Sequence, residues 1–178
     1  NHLAPPETKP EIATYAADLQ WCEALVLVYP TWWSGQPGML KGWIDRVWVA
    51  GVAYDLPPGA NRIRPRLTNI RRIVAVTTHG SSKLINTLQG EGGKRVVTRS
   101  LRVLCNRFAR TKWVALYRID RCTDADREAF LAKAERTENA PVLIVQQAAS
   151  RARTLRDSTA FARSQSARRR CCHGSSGR

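Results

Sequence analysis

Side chains with chemistry to offer gather in two short stretches. In Pro30-Thr31-Trp32-Trp33-Ser34-Gly35-Gln36-Pro37-Gly38, two adjacent indoles stand between prolines. In Thr77-Thr78-His79-Gly80-Ser81-Ser82, hydroxyls, an imidazole and a glycine follow one another. Two neighbouring Trp cannot both enter a core from one loop. Prolines at either end restrict that loop, so aromatic faces and backbone N–H groups can be held ready for a flat ligand at small entropic cost. The second stretch suits hydrogen bonding to carbonyl and ring-nitrogen atoms, with Gly80 admitting close approach of the backbone. His79 is the candidate catalytic group, because an imidazole titrating near working pH can take or give a proton. The alternative is a histidine simply hydrogen-bonded at the rim of a site.

Other chemistries fail on spacing. Gly80-Ser81-Ser82 is not the Gly-x-Ser-x-Gly elbow that exposes a nucleophilic serine. Gly90-Glu91-Gly92-Gly93-Lys94-Arg95 hints at a phosphate loop, but Leu88 and Arg95 occupy the places where the Walker pattern needs Gly and Ser or Thr. A flexible lead into the next helix is the expected role of that segment. The five Cys form no C-x-x-C pair, and their odd number argues against a disulfide framework, which fits a reducing cytoplasm. Cys171-Cys172-His173 lacks the spacing that lets a chain wrap a tetrahedral ion, so no metal site is expected.

The elements that must position the two stretches can be read from hydrophobic patterning. Ala24 to Tyr29 is an apolar run without alternation, as in a parallel strand covered on both faces. Leu40, Trp43, Ile44 and Val47 recur on one helical face directly after the Trp loop. Ile73 to Val76 is a second buried strand ending at Thr77, and Trp113 to Tyr117 a third. Each βα loop then falls at the carboxyl edge of a parallel sheet, where open α/β folds place their ligands. Ile12, Tyr15, Ala16 and Leu19 mark a helix before the first strand. Val97, Leu101, Leu104, Cys105 and Phe108 mark another before the third. Thr123 with Asp126 makes a capped start for a last helix through Leu131.

The stretch from Tyr29 to Val47 resembles the signature of the flavodoxin-like NAD(P)H:quinone oxidoreductases. There a Pro-x-x-Trp-x-x-x-Pro loop followed by Leu-Lys-Gly-Trp lies against the flavin ring. Here it reads Pro30, Trp33, Pro37 and Leu40-Lys41-Gly42-Trp43. Thr77-Thr78-His79-Gly80-Ser81 is a second match, and the similarity runs from about Pro10 to Leu131. The resemblance implies an α/β fold, a flavodoxin-like three-layer sandwich with a parallel sheet. It implies FAD or FMN as cofactor, NAD(P)H as co-substrate, a quinone-like acceptor and a homodimer. Pro30, Thr31, Trp32 and Trp33 become the ring platform, and Thr77, Thr78, His79 and Gly80 its polar edge. Tyr54, in the turn-rich segment Gly51 to Gly59, becomes a wall of the acceptor pocket. Some mammalian relatives carry a Tyr and a His farther along, but Leu84-Ile85-Asn86 stands there, so no proton donor carries over.

The family sheet has strand order 2-1-3-4-5, and the strands at Val26, Val74 and Val114 correspond to its third, fourth and fifth. The sequence is therefore expected to be an N-terminally incomplete member without the first two strands, and without the turn that grips the flavin phosphate. Its opening on Asn1 and on a helix agrees with that expectation. Two consequences follow: weakened flavin retention, and an exposed apolar edge along Ala24 to Tyr29. The expected division is a loose lead-in over 1–10, a partial domain over 11–134, and a divergent, largely disordered tail over 135–178.

Composition supports a packed unit, with 43% hydrophobic residues and six Trp in 178. No apolar run approaches the ~20 residues of a membrane span. The net charge of +15 is uneven, since residues 151–178 hold eight Arg against one Asp. That tail supports a rival reading from another class, a binder of nucleic acid or an acidic surface. An inactive remnant is the third possibility.

Overall fold

In a computed structural model, residues 10–136, 142–146 and 153–155 are described. Helix α1 (Pro10–Trp21) leads into strand β1 (Ala24–Pro30), and helix α2 (Gly38–Val47) follows the Trp loop. A small antiparallel ribbon, β2 (Tyr54–Asp55) with β3 (Arg64–Pro65), precedes strand β4 (Arg72–His79). Helices α3 (Lys83–Leu88) and α4 (Gly92–Arg95) come next, then a π-turn over Val96–Leu101 and a 3₁₀ turn over Arg102–Leu104. Strand β5 (Arg110–Tyr117), helix α5 (Asp124–Glu135) and strands β6 (Val142–Gln146) and β7 (Arg153–Leu155) complete the order.

The main sheet runs β5-β4-β1-β6-β7, parallel except for β7. Its two faces explain why β1 lacks polar alternation. Leu25, Leu27 and Tyr29 point into one core with Ile73 and Ala75, whereas Ala24 and Val26 point into a second with Val74 and Val114. Leu40, Ile44 and Val47 of α2 and Leu19 of α1 cover the first face. Phe130 of α5 packs on the second. The α5 start is fixed by a capping box, Thr123 Oγ1 accepting from Asp126 N while Asp126 Oδ2 accepts from Thr123 N.

Three expectations need correction. The edge of β1 is not open: β6 pairs with it in parallel from Ala24↔Val142 to Val28↔Gln146, and β7 pairs antiparallel with β6. Val142-Leu143-Ile144-Val145 is a short apolar, β-prone run, and the Arg-rich composition beyond it hid that signal. Phe108 does not continue the helical stripe. Val97, Leu101, Leu104 and Cys105 are buried, but the chain turns extended at Cys105 and Asn106 Oδ1 then accepts from Phe108 N, leaving Phe108 74% exposed. The Gly90–Arg95 segment is no flexible lead, because Gly93 N donates to Ser34 O and docks it on the Trp loop. Of the lead-in expected over 1–10, Pro10 already opens α1 and residues 1–9 lie outside the described residues, as does most of the basic tail with the disorder expected of it.

Candidate functional site

β1 and β4 are adjacent and in register, with Pro30 opposite Thr78, so their following loops emerge side by side at the carboxyl edge. Thr31 N donates to Thr78 O at 2.8 Å, locking the start of one loop to the other. Trp32 and Gly35 then exchange backbone hydrogen bonds of 3.2 and 2.8 Å around a two-residue turn. Both central residues are left-handed, Trp33 at φ 48° and Ser34 at φ 60°, as in the mirror-image turns that suit hairpins. Neither is glycine, so each holds backbone strain of about 1–2 kcal/mol. The turn lifts Trp33 to 99% exposure and leaves Trp32 60% exposed.

What holds this strained turn in place comes from the segment after α3. Gly93 N donates to Ser34 O at 2.7 Å, Gln36 Nε2 to Gly93 O at 2.8 Å, and Ser34 Oγ to Gln89 Oε1 at 2.5 Å. A Cβ on Gly93 would sit 3.1 Å from Ser34 O and 3.2 Å from Gly35 Cα, tight enough that the facing backbone would have to give by a few tenths of an ångström. Two backbones touching is why glycine stands there.

The end of β4 and the start of α3 bring buried polar groups to either side of the loop between them. Thr77 Oγ1 lies 2.8 Å from Thr31 Oγ1, which in turn lies 3.4 Å from His79 Nε2. On the other side of the ring, His79 Nδ1 is 2.8 Å from Asn86 Oδ1. Asn86, on α3, is buried, and its Nδ2 donates to Ser81 Oγ and to Ser82 O, each at 2.8 Å. The His79 ring stacks on Tyr117 of β5 at 4.7 Å between centroids and is only 6% exposed. Burial holds its pKa below the ordinary 6.5, against smaller opposing effects of the Asn86 hydrogen bond and the Glu91 charge. Glu91 itself is paired with Lys94 at 2.7 Å.

Thr31, Trp33, Ser34, His79, Gly80, Ser81, Asn86 and Gln89 line one open crevice of about 210 Å³. Of the residues expected at a ligand, Thr31, Trp33, His79 and Gly80 meet in it. Thr77 and Thr78 stand behind it through Thr31, and Pro30 ends β1 beneath it. Trp32 flanks the turn. Tyr54 is not among the lining residues; it is half-buried in β2, packed against the main core. Sequence reasoning missed Asn86, Tyr117 and the Gly92-Gly93 brace. A Ser82 cap with Asn four positions on was the available signal for the first, since those positions share one helical face.

The crevice has the makings of a site for the edge of a flat heteroaromatic ring: an exposed indole on one side, hydroxyl, imidazole and backbone groups on the other. Its volume is below the ~300–1,000 Å³ of sites that enclose a whole drug-sized ligand. In the loop from β1 into α2, Gly35 N is committed to Trp32 O and Pro37 at the N-cap has no N–H, so the backbone donors at this helix start are those of Gly38, Met39 and Leu40. Thr31, Trp33, His79 and Gly80 are residue types that suit the ring end of a flavin.

The sequence profile of the family described as flavodoxin-like fold matches residues 2–140. An uncharacterized NAD(P)H oxidoreductase of Escherichia coli is 49% identical over 45 residues, 25% of this chain and 23% of that protein. NAD(P)H dehydrogenase [quinone] 1 of Rattus norvegicus is 32% identical over 84 residues, 47% of this chain and 30% of that protein. The matched stretches thus span under a third of either relative's length. Among solved structures, Smu.1420 of Streptococcus mutans superposes with a TM-score of 0.61 at 27% identity, over 74% of this chain and 66% of that one.

Proposed function

The chain belongs to the family of flavodoxin-like fold, and from that premise we propose that it is a flavin-dependent NAD(P)H:quinone oxidoreductase whose hold on the cofactor is weak. The observation that carries this reading is the shared crevice, lined by exposed Trp33 from the first loop and by His79 and Gly80 at the end of the adjacent strand β4, with Thr77 and Thr78 behind them. The names of the E. coli and rat relatives support it. FAD or FMN is the cofactor, NAD(P)H the hydride source and a quinone-like molecule the acceptor. The working form is a cytoplasmic homodimer. No described helix is long and apolar enough to cross a membrane.

A bound flavin supplies hydride chemistry that side chains cannot perform, and the chain's part is to bind, orient and exclude water. Trp33 and Trp32 offer the apolar platform, and their strained turn, braced by Gly93, fixes its height. Thr31 and His79 offer polar atoms to the ring's edge, while Thr77, Thr78 and Asn86 hold those two in place. Tyr54 is read as a wall contributed to the acceptor pocket of a second copy, the ligand-binding unit being residues 11–134. Binding without about three phosphate contacts, at roughly 1.5–3 kcal/mol each, costs about 4–9 kcal/mol of flavin affinity. That is about three to six powers of ten.

The test is oxidation of NADH or NADPH by the purified chain with menadione, at rising FMN and at rising FAD. Activity that saturates with either flavin at micromolar or higher concentration is expected. Failure to turn over at any flavin concentration would remove the oxidoreductase reading.

A further inference from the structure

The hydrogen bonds around His79 fix where its proton sits. Ser82 O is a carbonyl and can only accept, so the Asn86 atom 2.8 Å from it must be the amide nitrogen. The atom Asn86 turns to His79 is therefore its oxygen, which also only accepts, and Nδ1 at 2.8 Å must carry a hydrogen. A neutral imidazole then has a bare Nε2. Thr31 has to donate to it, and Thr77 has to donate to Thr31. One carbonyl thus sets the direction of four consecutive hydrogen bonds.

We propose that Asn86 is a positioning residue that holds His79 in the single tautomer protonated at Nδ1, so that Nε2 meets the crevice as an acceptor and selects ligand groups bearing an N–H or O–H. A phenolic or hydroquinone hydroxyl satisfies that demand, as does an imide N–H; a carboxylate does not. The 3.4 Å contact from Thr31 is long, so a better-placed ligand donor can replace it. Protonation at Nε2 inverts the arrangement: the ring then donates to Thr31, Thr31 to Thr77, and the crevice turns from donor-seeking to anion-seeking. The groups facing the ring are Thr31 from the first loop, Asn86 from α3, Glu91 at the N-cap of α4 with its partner Lys94, and Trp113 and Tyr117 from β5. Asp120 lies nearby over Gly80. Burial keeps the neutral form favoured at neutral pH. The ligand selection rests on the flavin reading only for which molecule enters; the tautomer does not rest on it.

Long-range proton–nitrogen NMR correlations of the flavin-free protein at pH 7.5 read the tautomer directly. The His79 pattern is expected to be that of protonated Nδ1 and bare Nε2. Thr31→Val should leave it unchanged, whereas Asn86→Leu should yield a mixture. Asn86→Asp should raise the midpoint of His79 by about 1–3 pH units, because a carboxylate then faces the ring. Phenol should shift the Nε2 resonance with saturation, and benzoate should not. A wild-type ring protonated at Nε2 would overturn the proposal without any variant needing to fold. So would Asn86→Leu retaining the Nδ1 form, and benzoate saturating where phenol does not would overturn the selection. Absence of flavin turnover alongside the expected tautomer would count against the oxidoreductase reading alone.

Discussion

The loops after β1 and β4 leave neighbouring strands at the same edge, yet they are built on opposite principles. The first exposes its apolar side chains and holds its backbone in left-handed φ at two non-glycine residues. The second is flanked by buried polar side chains at the end of β4 and on α3, and the hydrogen bonds run in one direction through Thr77, Thr31, His79 and Asn86. One supplies a surface without direction, the other direction with little surface. A flat ring with a polar rim needs both, and neither loop alone offers it. Their difference also separates how each should respond to substitution.

The largest effect is expected where the first loop depends on its brace. Gly93→Val places a side chain against Ser34 O and Gly35 Cα and should destabilise the fold by about 1–3 kcal/mol in urea unfolding. Gly92→Ala, whose Cβ would meet Ser34 O at an ordinary 3.6 Å, should change little. Next is Trp33→Gly, which releases left-handed strain without uncovering any core and should stabilise the protein by about 1 kcal/mol. The same change should weaken ring binding, so stability and affinity move in opposite directions at this residue. The second loop should instead reveal itself through pH. His79 has its folded pKa below 6.5, so the unfolded chain binds its proton first as pH falls. The stability contributed by the neutral ring is complete above about pH 6.5 and declines below it, toward the folded pKa. His79→Gln should flatten that part of a stability profile. The smallest effect concerns thiols. Burial pushes the Cys105 thiol up to about 12, so Cys105 should resist iodoacetamide at pH 8 while half-exposed Cys122 reacts, as peptide mass mapping would show.

Much of this was legible from residue order alone. Apolar runs at Val26, Val74 and Val114 read as strands because parallel strands covered on both faces cannot alternate, and α2 announced itself through Leu40, Ile44 and Val47. That both indoles could not be buried followed from their adjacency, but one of them packed on the helix was equally compatible with the sequence; the exposure of both comes from the left-handed turn. The rest depended on contacts between distant segments. Nothing in the order of residues shows that Gly93 touches Ser34, since that contact joins two backbones far apart along the chain. Asn86 reaches His79 only because Ser82 caps α3 and turns the helix back under the strand end. Strand β6 was overlooked because four apolar residues beside an Arg-rich stretch carry little weight in composition, whereas the unfilled ladder of β1 gives them a place.

The central claim is that both loops form one ligand site, and amide chemical-shift mapping during an FMN titration tests it most directly. Thr31 to Gly35 and Thr77 to Ser82 should shift together, with one midpoint in the micromolar range or weaker. Shifts confined to one of the two loops, or shifts elsewhere with both loops unmoved, would contradict it.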